Sequence, residues 1–233
     1  MANTYFDKTG LLIFTGEPRL TPVLKALFGP YEPGSEVTDK PFSVMIKEMA
    51  EVSDVTWEAV AESIEEHASS FGKALPPEQD RGDVAVWIRW LAEALGVADG
   101  RWAHYANGHL ELENDAPLYD LFTLAVEFND GHNLVAIESA ACWHSDQTRL
   151  FEFGGVGAFY SELVKVVSSS DEPRDAGRKL HDSLSGGHTG VAAEVVLKAA
   201  RDLLDSIQDP ESRAAVRQQL VEKMTREFGT ASQ

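Results

Sequence analysis

Apolar residues recur at helical spacing near both ends of the chain and alternate with polar ones in its centre, a change of period that predicts helices around a sheet. Tyr5 to Phe14 reads as a small hairpin turning at Lys8 to Gly10. A short helix is expected from about Arg19 to Phe28, because Leu20, Val23, Leu24 and Leu27 share a face and Pro22 fits a first turn. Gly29 to Pro41, with three prolines and two glycines, reads as a loop.

Two further helices follow. Trp57, Val60, Ala61, Ile64, Ala68 and Phe71 form one stripe, with Ser53 or Asp54 available as its cap and Gly72 as its end. Asp83 can cap a second, Val84 to Leu95, closed by Gly96. Its apolar residues surround it nearly completely, which predicts a central place in the core or a homodimer interface.

The centre carries the sheet pattern. Leu110 and Leu112 alternate with Glu111 and Glu113, and Phe122, Leu124, Val126 and Phe128 alternate up to Asp130-Gly131. An Asp-Gly pair between alternating runs signals a hairpin. The register then sets Val135, Ile137, Ala141 and Trp143 on the core face and Thr123, Glu127, Glu138, Cys142 and His144 on the other. A third strand is expected near Arg149 to Phe153. The predicted fold class is therefore α+β, with a central antiparallel β-meander at about residues 108–153 packed by helices.

Beyond the meander, Phe159, Leu163, Val164 and Val167 suggest a short helix, and Ser168 to Gly177 a polar linker. The chain should end in a helical hairpin, one arm from about Val191 to Ile207 and the other opened by Asp209-Pro210-Glu211. The expected organisation is an α+β domain at 1–167 and a C-terminal helical segment at 168–233 packed on the same core.

Composition sharpens this picture at two points. One cysteine in 233 residues excludes an internal disulfide and any cysteine-rich zinc site, as suits a reducing compartment. No 18-residue apolar run and no basic, apolar leader pattern occur, so a cytoplasmic protein without a membrane span is expected.

Charge changes the picture more. There are 38 acidic and 20 basic residues, for a net of −18, and residues 51–150 alone hold 19 acids against 5 bases. Such a region repels nucleic-acid phosphates and attracts basic proteins. Glu58, Glu62, Glu65 and Glu66 have no lysine or arginine at i+4, and like charges at helical spacing oppose folding. These four are the candidate partner-binding residues. The function expected from them is that of a non-enzymatic acidic protein of bacterial or phage type, binding a basic partner. An inhibitor or regulator of a nucleic-acid-handling protein, imitating phosphate with carboxylate, fits that description.

The alternative is a small enzyme using Cys142, His144 and Glu138. A thiol beside an imidazole can act as a nucleophile, with the carboxylate orienting the ring. However, i and i+2 side chains on a strand stand about 6.5–7 Å apart, long for a direct hydrogen bond. No metal site is expected, since His104, His109, His132, His144, Cys142 and Asp146 show no recognised ligand spacing, and Cys142 with His144 is the nearest to a metal pair. No cofactor is expected. Gly155-Val156-Gly157 lacks the rest of a phosphate-binding loop, so tight packing is the better account of these glycines.

Overall fold

The structure is a computed structural model that describes residues 4–34, 40–50, 55–107, 114–145 and 153–229, the side chains of 4, 49 and 50 excepted. It is α+β, with a five-stranded antiparallel sheet and helices that continue to the C-terminus. The chain forms two compact units, Met1–Gly157 and Ala158–Gln233.

In the first unit, strand β1 (Thr4–Phe14) lies between β2 (Ser43–Ala50) and β3 (Leu134–Ser145), antiparallel to both. Its helices are α1 (Pro22–Phe28), α2 (Trp57–His67), α3 (Val84–Leu95), α4 (Trp102–Asn107) and α5 (Leu118–Glu127). Alternation puts Leu12, Phe14, Ile46 and Ile137 on one sheet face, where they are buried with Leu24 and Phe28 of α1, Ile64 of α2 and Leu121 of α5. Asp83 caps α3 by accepting from the Ala85 N–H at 2.8 Å, and Gly96 closes it in the left-handed region. Three tryptophan N–H groups find carbonyls: Trp87 on Arg81, Trp90 on Ala74 and Trp102 on Ala98. None of the five tryptophans is exposed, so none offers a surface anchor.

Strand β4 (Gly154–Ser161) begins in the first unit and continues into the second, where it turns into β5 (Lys165–Ser169). The strand order is β2-β1-β3-β4-β5. Helices α6 (Asp171–Ser185), α7 (Thr189–Asp205) and α8 (Pro210–Phe228) follow. As the sequence indicates, α8 starts on an Asp209 cap, whose Oδ2 accepts from the Ser212 N–H at 2.7 Å, with Pro210 in the first turn.

Several expectations are corrected. Within the span assigned to the meander, residues 118–127 are helix α5 and not a strand. Leu118, Leu121, Phe122 and Ala125 are buried at i, i+3, i+4 and i+7, so the alternation of Phe122, Leu124 and Val126 is one reading of a run apolar in both periods. Asp130-Gly131 consequently joins a helix to a strand. The expected strands around Leu110 and Arg149 lie outside the described residues, apart from Phe153.

Tyr5 to Phe14 is one strand without a turn. Lys8 points to the core face, with Nζ 3.1 Å from Glu48 Oε2, and Gly10 marks close strand approach, because a Cβ there would lie 2.7 Å from the Glu138 carbonyl oxygen. Residues 159–167 form a hairpin in place of a helix: the Ser161 hydroxyl oxygen accepts from the N–H groups of Leu163 and Val164 and stabilises a tight turn between strands. The linker expected at 168–177 is mostly the start of α6, where Asp171 and Glu172 suit a helix N-terminus.

Candidate functional site

Helix α2 starts at Thr56, not at Ser53 or Asp54, which lie outside the described residues; the Thr56 hydroxyl oxygen accepts from the Ala59 N–H at 3.3 Å. Trp57, Val60, Ala61 and Ile64 turn inward, and this leaves Glu58, Glu62, Glu65 and Glu66 exposed. The four do not share one environment. Arg81, from the segment before α3, places Nη1 2.6 Å from Glu65 Oε1. Glu58, Glu62 and Glu66 have no ion-pair partner among the described residues.

Glu62 and Glu66 form one wall of a groove of about 620 Å³ whose other lining includes Leu20, Lys25, Pro30, Pro33 and His67. The Ser63 hydroxyl donates to the Lys25 carbonyl at 3.2 Å and joins α2 to α1 across its floor. His67 Nδ1 donates to the Ser63 carbonyl at 2.9 Å, which fixes the ring at the groove's end. No ion pair joins Lys25 to either carboxylate. The groove thus combines proline and leucine surface with two carboxylates that have no ion-pair partner among the described residues. The sequence gives little sign of Leu20, Pro30 and Pro33 in this role, because they flank α1 on either side and meet α2 only through tertiary packing.

Charge over the first unit follows the same pattern. Residues 1–157 hold 26 acids and 10 bases. Most of those bases are already engaged: Lys8 with Glu48, Lys40 with Glu138, Lys47 with Glu32, Lys73 with Glu93, Arg81 with Glu65 and Arg101 with Glu127. The remaining acids are exposed or belong to residues outside the description, apart from the half-buried Asp7, Asp120 and Asp130.

Glu138, Cys142 and His144 do share a face of β3, as alternation requires. Their surroundings differ from the expected cleft. Thr123 and Glu127, assigned to the same face, belong to α5, where the Thr123 hydroxyl donates to the Tyr119 carbonyl and Glu127 pairs with Arg101. Val135 is 40% exposed where a core position is expected, while Ala136 is buried; a register shift opposite Ile13 and Phe14 inserts the extra residue. Glu138 Oε2 meets Lys40 Nζ at 3.2 Å, His144 stacks on Tyr5 with ring centroids 5.2 Å apart, and Cys142 is exposed opposite Asp7. No hydrogen bond links Cys142 to His144.

His132 is a buried structural residue. Its Nε2 donates to the Ala125 carbonyl at 2.8 Å, and its Nδ1 accepts from the Leu134 N–H at 3.3 Å. Among the described residues, no three His, Cys, Asp or Glu side chains gather as metal ligands, and no helix is long and apolar enough to cross a membrane. Gly154 lies against Trp143, where a Cβ would come within 2.0 Å of Cζ2. Packing accounts for this glycine.

No protein-family model, curated protein or solved structure matches this chain.

Proposed function

We propose that the first unit is a non-enzymatic interaction module that receives a cationic segment of a basic protein along α2. The observation that carries this reading is the row Glu58, Glu62 and Glu66, exposed and without an ion-pair partner among the described residues, two of them lining a groove that also presents Leu20, Pro30 and Pro33. A lysine or arginine stem can lie on proline and leucine while its charged head meets the carboxylates. Surfaces of that kind on a partner are typically those that hold nucleic-acid phosphates, so a nucleic-acid-handling protein, inhibited or regulated by occupation of its groove, is the partner class favoured. The reading with Cys142, His144 and Glu138 as an enzyme site draws less support, since Lys40 engages the carboxylate and Tyr5 stacks on the imidazole.

The test is fluorescence anisotropy of a labelled arginine-rich peptide titrated with the full chain at low and high salt. Glu58→Gln, Glu62→Gln and Glu66→Gln combined should weaken binding about tenfold or more, whereas glutamines at Glu194, Glu211 and Glu222 should not. Equal losses in both variants would reduce the effect to overall charge and refute the site. A DNA-binding protein bound to its duplex and displaced by the wild-type chain alone would identify the partner class.

A further inference from the structure

The second unit lacks a core of its own. Among its described residues only Ala192 and Ser183 are buried, although it contains three helices of 15, 17 and 19 residues. Val196 and Leu203 on α7 are 58% and 64% exposed, and on α8 Val216, Met224 and Phe228 lie eight and four residues apart, exposed by 45%, 45% and 67%. Each set follows helical spacing and forms a stripe on its own helix. Segments of this size need an apolar core or an equivalent constraint to hold their structure.

We infer that α7 and α8 pack against the same helices of a second copy of this chain, so that the second unit is a dimerisation element. Two observations select a second copy over another occupant. The first is area. With about 100 Å² of apolar surface on each large exposed side chain, the eight such residues on α7 and α8 offer on the order of 800 Å², which matches the ~800 Å² per partner of a stable interface. The second is charge. Residues 158–233 hold 12 acids and 10 bases, mixed along the helices, against 26 and 10 in the first unit. A nearly neutral, mixed surface is self-complementary about a two-fold axis, whereas the first unit repels its own copy.

Sedimentation equilibrium of the full chain over a wide concentration range tests this. The expected mass is twice the 25.5 kDa of the chain, falling to that of the monomer on dilution or in Leu203→Glu/Met224→Glu. Phe42→Glu, at a residue 55% exposed in the first unit, should remain dimeric. Because the double variant could also lose helix, hydrogen exchange of the wild type is followed with dilution: protection in α7 and α8 should fall as the dimer dissociates, and protection in α3 should not. A monomer at every concentration overturns the inference, whether α7 and α8 are then protected by the rest of the chain or remain open to another protein. A dimer that survives both glutamates overturns it equally.

Discussion

Arg81 reaches from the segment before α3 to Glu65 near the end of α2, with Nη1 2.6 Å from Oε1, while the adjacent Glu66 has no ion-pair partner among the described residues. Both carboxylates stand near a helix C-terminus, where negative charge is unfavourable. One is compensated and the other is left available to an incoming charge. The Arg81 Nε donates to the Pro76 carbonyl, so the guanidinium is held at two points, and the Arg81 backbone carbonyl accepts from Trp87.

Stability and binding should therefore respond to these residues in opposite directions. Glu66→Gln removes an unfavourable dipole contact and a like-charge neighbour, and is expected to raise stability by a few tenths of a kcal/mol while weakening cationic peptide binding. Arg81→Ala should lower stability by about 1 kcal/mol or somewhat more. Thermal melts paired with the peptide titration check both signs, and a Glu66→Gln variant that loses stability would contradict the account.

Tyr105 gives a pH dependence. Its hydroxyl donates to Asp120 Oδ1 at 3.0 Å, and burial first, then the Asp120 carboxylate, raises its pKa well above the ordinary phenol value. The folded state thus keeps a proton that the unfolded state releases, so the contribution is full below about pH 10 and is lost as pH rises from there toward the folded value. Wild type should lose stability more steeply in that window than Tyr105→Phe, and tyrosinate absorbance should include one group that ionises late. Parallel slopes for the two proteins would refute the assignment.

His132→Ala breaks both ring hydrogen bonds and leaves the Ala125 carbonyl and the Leu134 N–H buried without them. A cost of about 1–3 kcal/mol per unsatisfied group is expected, read in urea as a lower midpoint with an unchanged slope.

Gly154→Ala should displace Trp143 and cost about 1–3 kcal/mol by overpacking, with altered tryptophan emission. In a Trp143→Leu background the same change should be nearly neutral. The double-mutant cycle reads that coupling directly, and additive effects would place the strain elsewhere.

Cys142 is exposed and should react with a thiol reagent in the folded protein in one phase, at a rate close to that of a free thiol. Cys142→Ser should alter stability by no more than about 0.5 kcal/mol.

Where local chemistry and packing agree, the sequence was readable. Asp83 and Gly96 bound α3, Asp209 and Pro210 open α8, and the inward stripe of α2 is buried as its spacing requires. It failed where one run satisfies two periods. Leu121 to Val126 is apolar in both, and the choice of helix depends on contacts with α1 and β3 that no local window contains. Strand β2 was missed because Ser43 to Ala50 mixes Lys47 and Glu48 with apolar residues, and Glu48 turns inward only because Lys8 of β1 meets it there. Of the candidate site, the exposed glutamates were legible from helical spacing. Arg81 as the partner of Glu65, and the groove made with Pro30 and Pro33, arise from tertiary placement alone.

The short connection after α5 joins more than two neighbours. Asp130 Oδ2 accepts from the Val23 N–H at the start of α1, His132 donates to the end of α5, and the Asn133 amide donates to the carbonyls of Thr15 and Glu17. An engineer seeking a place to open the polypeptide, or to insert a tag or reporter, would choose this polar Asn-Asp-Gly stretch on appearance. Cutting there would release a helix start, a helix end and the exit of β1 together, so permuted or interrupted versions should begin elsewhere, for instance at Gly186 and Gly187 between α6 and α7.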